Sequence, residues 1–210
     1  MKSLIYVHGF NSSAKSAKAQ VLKSIMLELG GIARFRAPNL LVYPSQAIVQ
    51  LETLIIQLDS PILVGSSLGG YYATYLAEKF NLKALLINPA VLPHKLQSKV
   101  YIDGQDWRNE PLCSVDSFGK LLKGTYGVQE EDETFAEDYI NELANLEVAP
   151  PTDKERYKVW LKKGDNVLDY RFAKDWYKDC DVTVDDDGDH RFADFSDHFL
   201  KVLDWAELTK

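Results

Sequence analysis

Cysteine, histidine and basic charge are all in short supply in this chain, and each shortage narrows the chemistry open to it. The two cysteines, Cys113 and Cys180, have neither metal-site spacing nor a disulfide framework, so two unpaired thiols in a reducing compartment are expected. Four histidines, His8, His94, His190 and His198, leave few candidates for proton transfer. Lys and Arg number 24 against 31 Asp and Glu, and the formal net charge of −7 argues against nucleic-acid binding, which needs a basic face. No apolar run approaches the roughly 18 residues of a membrane helix, so no membrane insertion is expected. Met1-Lys2-Ser3 leads straight into an apolar strand, so no secretory leader is expected. A soluble, cytoplasmic protein is expected.

What is present has the make-up of a globular chain: 210 residues with 46% hydrophobic content suit one domain, residues 1–210, with a sizeable core. Short apolar runs bounded by turn residues read as buried strands at Leu4–Val7, Ile32–Arg36, Pro61–Val64 and Lys83–Ile87. Helical stripes lie between them at about 14–29, Pro44 to Leu58 and Tyr71–Phe80. This alternation predicts a mainly parallel sheet of about six strands with helices on both faces. The region from about 91 to 156 breaks the rhythm. It holds no clear strand, carries the acidic run Glu130-Glu131-Asp132-Glu133, and reads as a polar, helical cap insertion. A strand at Tyr157–Leu161, a helix at Asp169–Tyr177, a short strand at Val182–Val184 and a closing helix at Phe195–Leu208 complete the chain.

The chemistry centres on Ile62-Leu63-Val64-Gly65-Ser66-Ser67-Leu68-Gly69-Gly70. A buried strand running into Gly-x-Ser-x-Gly and then a helix is the pattern of a nucleophile elbow, in which a strained turn lifts the serine hydroxyl clear of the sheet. Gly65 and Gly69 flank Ser67 because side chains there would strike neighbouring backbone. Glycine and serine could also make a plain turn, but a strand before and a helix after favour the elbow.

Such a serine needs a base, a group to orient the base, and amides for the oxyanion. The order along the chain in this architecture is serine, acid, histidine. His190 follows the last strand and so falls at the carboxyl edge of the sheet, where open α/β sheets bind ligands, whereas His198 falls inside the closing helix. The acid should end the preceding strand, which favours Asp165 over Asp169, four residues on. Asp169 stands where it could cap the next helix, and Asp185, Asp186, Asp187 and Asp189 lie too close to His190 along the chain to orient it. The backbone amides of Leu68 and Phe10 are the candidate oxyanion hole, with His8 as a packed residue that fixes the Phe10 turn. Thr183-x-Asp185-x-Asp187-Gly188 with Asp194 faintly echoes a calcium loop, but its first and last ligands are of the wrong type, and no metal is expected.

These segments resemble the α/β-hydrolase superfamily and, more narrowly, the small bacterial YqiA-like esterases. The resemblance is carried by Tyr6-Val7-His8-Gly9-Phe10-Asn11-Ser12-Ser13, by Val64 to Thr74, and by Asn88-Pro89-Ala90-Val91. Gly164-Asp165-Asn166-Val167-Leu168-Asp169-Tyr170 and Gly188-Asp189-His190-Arg191-Phe192 complete it. Residues 101–150 fall outside it. The resemblance implies a carboxylesterase acting on short- or medium-chain acyl esters and on acyl-CoA thioesters; an acyltransferase or thioesterase on the same triad is the first rival, and the serine mechanism needs no cofactor. It carries the nucleophile to Ser67, the acid to Asp165 and the base to His190. A non-catalytic hydrolase-like binding protein is the rival from another class, and the complete serine, acid and histidine set counts against it.

Overall fold

The computed structural model describes residues 2–95, 101–102, 105–106 and 133–209. Six strands among them form one sheet: β1 (Leu4–Val7), β2 (Phe35–Arg36), β3 (Ile62–Ser66), β4 (Ala84–Ile87), β7 (Tyr157–Lys162) and β8 (Asp181–Asp185). Their order is β2-β1-β3-β4-β7-β8, and every neighbouring pair is parallel. The four residues of β1 meet Ile62, Leu63, Val64 and Gly65 of β3 in register, and the carboxyl ends of β1, β3, β4, β7 and β8 open on one edge.

The central strands β1, β3 and β4 are buried on both faces, which explains why they read as unbroken apolar runs rather than alternating ones. Successive side chains still go to opposite sides. Ile5, Val7, Leu63, Leu86, Val159 and Leu161 join a core with α2 (Pro44–Ile56), α3 (Leu68–Phe80), α4 (Glu133–Ala144) and α5 (Tyr170–Trp176). Leu4, Tyr6, Ile62, Val64, Leu85 and Trp160 face the other core, with α1 (Ala17–Glu28) and α6 (Phe195–Leu200).

The structure departs from the sequence expectations at four places. The expected strand at Ile32–Arg36 begins as a 3₁₀ turn, Ile32–Arg34, and only Phe35 and Arg36 pair with β1. Gly31 closes that turn through its carbonyl, 2.9 Å from the Arg34 amide, and an edge strand has one neighbour to hold it straight. The elbow helix starts at Leu68 rather than Tyr71, because Gly69 and Gly70, poor helix formers in isolation, are held by close packing. The closing helix stops at Leu200. Beyond it Val202 bonds Phe199 and Glu207 bonds Asp204 in tighter turns, while Val202, Ala206 and Leu208 stay buried, so the apolar pattern marked packing rather than helix. Within the expected cap, β5 (Tyr101–Ile102) and β6 (Gln105–Asp106) form a short antiparallel pair where no strand was expected. The rest of that segment before α4, residues 96–100, 103–104 and 107–132 with Trp107, Cys113 and most of the acidic run, lies outside the described residues. No helix among the described residues is long and apolar enough to cross a membrane.

Candidate active site

The turn at Ser67 is strained, and its surroundings hold it so. Ser67 has φ 55° and ψ −124°, a conformation that non-glycine residues rarely adopt. Its amide donates to the Ile87 carbonyl at 3.1 Å, and its own carbonyl accepts from Gly70 at 2.8 Å and Ala90 at 3.0 Å. A Cβ on Gly65 would stand 2.4 Å from the Gly69 carbonyl oxygen, and one on Gly69 would stand 2.1 Å from that of Val7. These approaches pack α3 against β1 and β3 and leave no room for another residue at either position. Leu68 is the first residue of α3, and the opening amides of a helix have no partner within it.

The loop after β1 presses on this turn. A Cβ on Gly9 would lie 3.0 Å from Ser67 Cβ and 3.6 Å from Ser67 Oγ. Phe10 lines a cavity of about 290 Å³ together with Gly9, Ser67 and His190, and its ring meets Tyr139 of α4 edge-on with centroids 6.3 Å apart. His8 sets the loop from beneath. It is buried, its Nδ1 lies 2.8 Å from the Gly9 carbonyl oxygen, and its Nε2 accepts from the Leu40 amide at 3.0 Å. That pair of bonds requires the neutral ring with the proton on Nδ1. Burial lowers its pKa below the ordinary 6.5, against a raising contribution from the Gly9 carbonyl.

On the far side of the cavity, His190 Nδ1 lies 2.7 Å from Asp165 Oδ2. The Asp165 side chain is 1% exposed, and its Oδ1 accepts from the Val167 and Leu168 amides, each at 2.8 Å. The carboxylate is thus fixed by the loop it starts and presents one oxygen to the imidazole. Asp169 takes a different part: it caps α5 through the Arg171 amide at 3.0 Å and pairs with the Arg171 guanidinium. Ser67 and His190 face the same cavity, and no hydrogen bond joins the Ser67 hydroxyl to the ring. Such contacts are often long without substrate.

Two residues that sequence reasoning did not single out for this role hold the His190 loop. Asn88, buried at the end of β4, accepts from the Lys162 amide at 2.9 Å and donates to the Asp189 carbonyl at 3.3 Å, one residue before His190. Lys162, 1% exposed, ends β7. Its ammonium lies 2.7 Å from Asp194 and 3.0 Å from Asp185, and 4.4 Å from the centroid of Phe192. Burial works against its charge, but the hydrogen bonds it donates to Asp194 and Asp185 outweigh it and hold its pKa above the ordinary lysine value. His198 joins the group, 3.0 Å from Asp194 and packed against both Trp160 and Phe192, so it is wired into the cluster. One sequence signal was available: a lysine directly after the apolar run Val159-Trp160-Leu161 of a buried strand needs a buried partner.

The carboxylates Asp185 and Asp194, with His198, are close enough together to hold an ion, their ligand atoms lying within 4.8 Å. The Lys162 ammonium already stands against both carboxylates, so the faint calcium-loop pattern of the sequence falls on an internal ion pair. Of the remaining loop aspartates, Asp189 accepts from the Arg191 amide at 2.9 Å, and Asp186 pairs with Lys163.

Comparison with known proteins places this geometry in a wider setting. A UPF0227 protein of Citrobacter koseri is 20% identical over 98% of this chain and 99% of its own length. Alpha/beta hydrolase domain-containing protein 10 from mouse superposes with a TM-score of 0.65 at 17% identity, over 98% of this chain and 88% of that one. An esterase of Pyrococcus furiosus does so with a TM-score of 0.55 at 12% identity, over 97% and 81% of the two chains. At such identities the structures speak for the fold, which is that of the α/β hydrolases. The sequence model of one family matches residues 3–112 and 116–207, and the chain therefore belongs to the Uncharacterised protein family (UPF0227).

Proposed function

We propose that the protein is a serine hydrolase, a carboxylesterase that cleaves short- to medium-chain acyl esters through an acyl-serine intermediate. The observation that carries this reading is the 2.7 Å Asp165–His190 bond, aimed into the cavity that the strained Ser67 also lines. His190 takes the Ser67 proton through Nε2 as Oγ attacks the acyl carbonyl, and Asp165 steadies the imidazolium that forms. The amides of Phe10 and Leu68 receive the oxyanion, at about 3 kcal/mol per donor in comparable sites. The C–O bond breaks, the alcohol leaves with the proton from His190, and an acyl-serine remains. Water then gives up a proton to the same ring, attacks, and releases the acid and free Ser67.

No cofactor enters these steps. Names of structural relatives, the mouse α/β-hydrolase-domain protein and the Pyrococcus esterase among them, run in the same direction. In this reading residues 1–210 are one catalytic domain working in the cytoplasm, and the segment 91–156 bounds the acyl pocket, as the contact of Tyr139 with Phe10 supports. The test is a series of acyl esters and thioesters of rising chain length, with rapid-quench mass spectrometry of the protein. The expected result is turnover of short and medium esters and an acyl mass increment that disappears with the substrate. Turnover with no increment under single-turnover conditions would overturn the acyl-serine route.

A further inference from the structure

The protein is acidic overall, yet the cavity at Ser67 and His190 is edged by two cations. Lys18, in the first turn of α1, and Arg191, the residue after His190, both line it. Arg191 is exposed and Lys18 is half-buried. Among the described residues neither the Lys18 ammonium nor the Arg191 guanidinium has an ion-pair or hydrogen-bond partner; Arg191 is tied through its backbone amide alone, to Asp189. Ser12 and Ser16 line the same wall, and Ser16 Oγ donates to the Tyr6 hydroxyl at 3.3 Å. Tyr6, Phe10 and Ala17 add apolar surface, so the lining is mixed, with the two cations set among its polar groups.

Chemistry decides which part of a substrate meets it. His190 must hand its proton to the departing group, so that group sits on the His190 side of Ser67, where Arg191 follows directly in the chain. Burial draws the Lys18 pKa below the ordinary lysine value, and Asp189 and Asp165 push back from a distance. A partly desolvated ammonium with no close partner gains from an incoming anion what water no longer supplies. Resting on the serine-hydrolase reading, we propose that this cavity is a leaving-group subsite for anions, in which Lys18 and Arg191 recognise a carboxylate or phosphate carried close to the scissile bond on the departing alcohol or thiol.

The test compares butyrate esters of three phenols that differ in one ring substituent: a neutral carboxamide, a carboxylate, or a phosphate monoester. The wild-type protein is expected to favour at least one anionic ester over the neutral one by about tenfold in kcat/KM, chiefly through KM, and to lose much of that preference in added salt. The two anionic arms separate carboxylate from phosphate recognition. Lys18→Gln and Arg191→Gln should each lower the anionic-to-neutral ratio, their combination should bring it near one, and Lys18→Arg should restore it. Because the reading is a ratio within one protein sample, partial misfolding does not mimic it, and the exposed Arg191 gives a variant with little folding risk. A protein that hydrolyses the neutral ester and labels at Ser67 with a fluorophosphonate, but shows a ratio near one or a ratio the variants leave unchanged, overturns the subsite alone. Absence of both hydrolysis and labelling overturns the serine-hydrolase reading as well.

Discussion

The two sides of the cavity are built by different physics. The Ser67 side is held by backbone against backbone: Gly65, Gly69 and the loop at Gly9 approach closely, and together with the hydrogen bonds of the Ser67 amide and carbonyl they fix the turn. The His190 side is held by polar groups from separate parts of the chain. Asn88 ties the Asp189 carbonyl, and Lys162 with Asp185, Asp194 and His198 ties β7, β8 and α6 beneath the ring. Steric fixation tolerates changes of salt and pH, whereas ionic fixation responds to both. Under the proposed roles, the lesson is that a nucleophile can be positioned by close backbone packing, while a base that must change charge is carried on groups that answer charge.

The largest effect expected on the polar side is on the reaction itself. Asp165→Asn should lower kcat by about 10³- to 10⁴-fold with the fold retained, because the amide would favour the wrong tautomer of His190. Asp169→Asn should cost far less, since Asp169 caps α5. Steady-state kinetics and circular dichroism of both variants check this, and a greater kcat loss at Asp169 would move the acid.

On the steric side, Gly69→Ala places a methyl group against the Val7 carbonyl and should destabilise the fold by more than about 3 kcal/mol, an overpacking cost that added salt leaves unchanged. Lys162→Met removes the buried cation while keeping much of its volume. It should cost about 3 kcal/mol, at the low end for a broken buried pair because Asp194 is partly in water, and less at low pH, where the stranded carboxylates protonate. Urea denaturation at two salt concentrations and two pH values measures both variants. Equal salt and pH responses would erase the distinction between the two sides.

The smallest effect concerns His8, which belongs to the steric side but can titrate. Its pKa is lower folded than unfolded, so as pH falls the unfolded chain binds the proton first. Stability should therefore decline from about pH 6.5 downward, and the loss ends only once folded His8 itself protonates. His94 is shifted in the same direction by burial and adds to the slope. His8→Gln should flatten part of the decline in denaturation midpoint between about pH 6.5 and 5. An unchanged slope would assign it to other groups.

Much of the fold is legible in the chain because its determinants are local. Buried strands announce themselves as short apolar runs, and Gly65-x-Ser67-x-Gly69 announces the turn once a strand is seen before it and a helix after it. Boundaries fail where local pattern and tertiary packing diverge, as at Ile32–Arg34 and after Leu200. The meeting of Asp165 with His190 spans 25 residues and can be anticipated from strand order, since both follow strands at one edge of the sheet. The roles of Asn88 and Lys162 are not legible in this way. Their bond joins positions 74 residues apart, and although a lysine at the end of a buried strand asks for a partner, nothing along the chain names that partner or Asn88 until β4 and β7 lie side by side. The cationic edge formed by Lys18 and Arg191 is hidden for the same reason, one residue coming from α1 and the other from the loop after β8.

The most direct test of the central claim is to label the protein with a fluorophosphonate probe and map the adduct by peptide mass spectrometry in the wild type, Ser67→Ala and Ser66→Ala. The account predicts one adduct, on Ser67, lost in Ser67→Ala and retained in Ser66→Ala. An adduct that survives Ser67→Ala, or no adduct on folded wild-type protein, would contradict it.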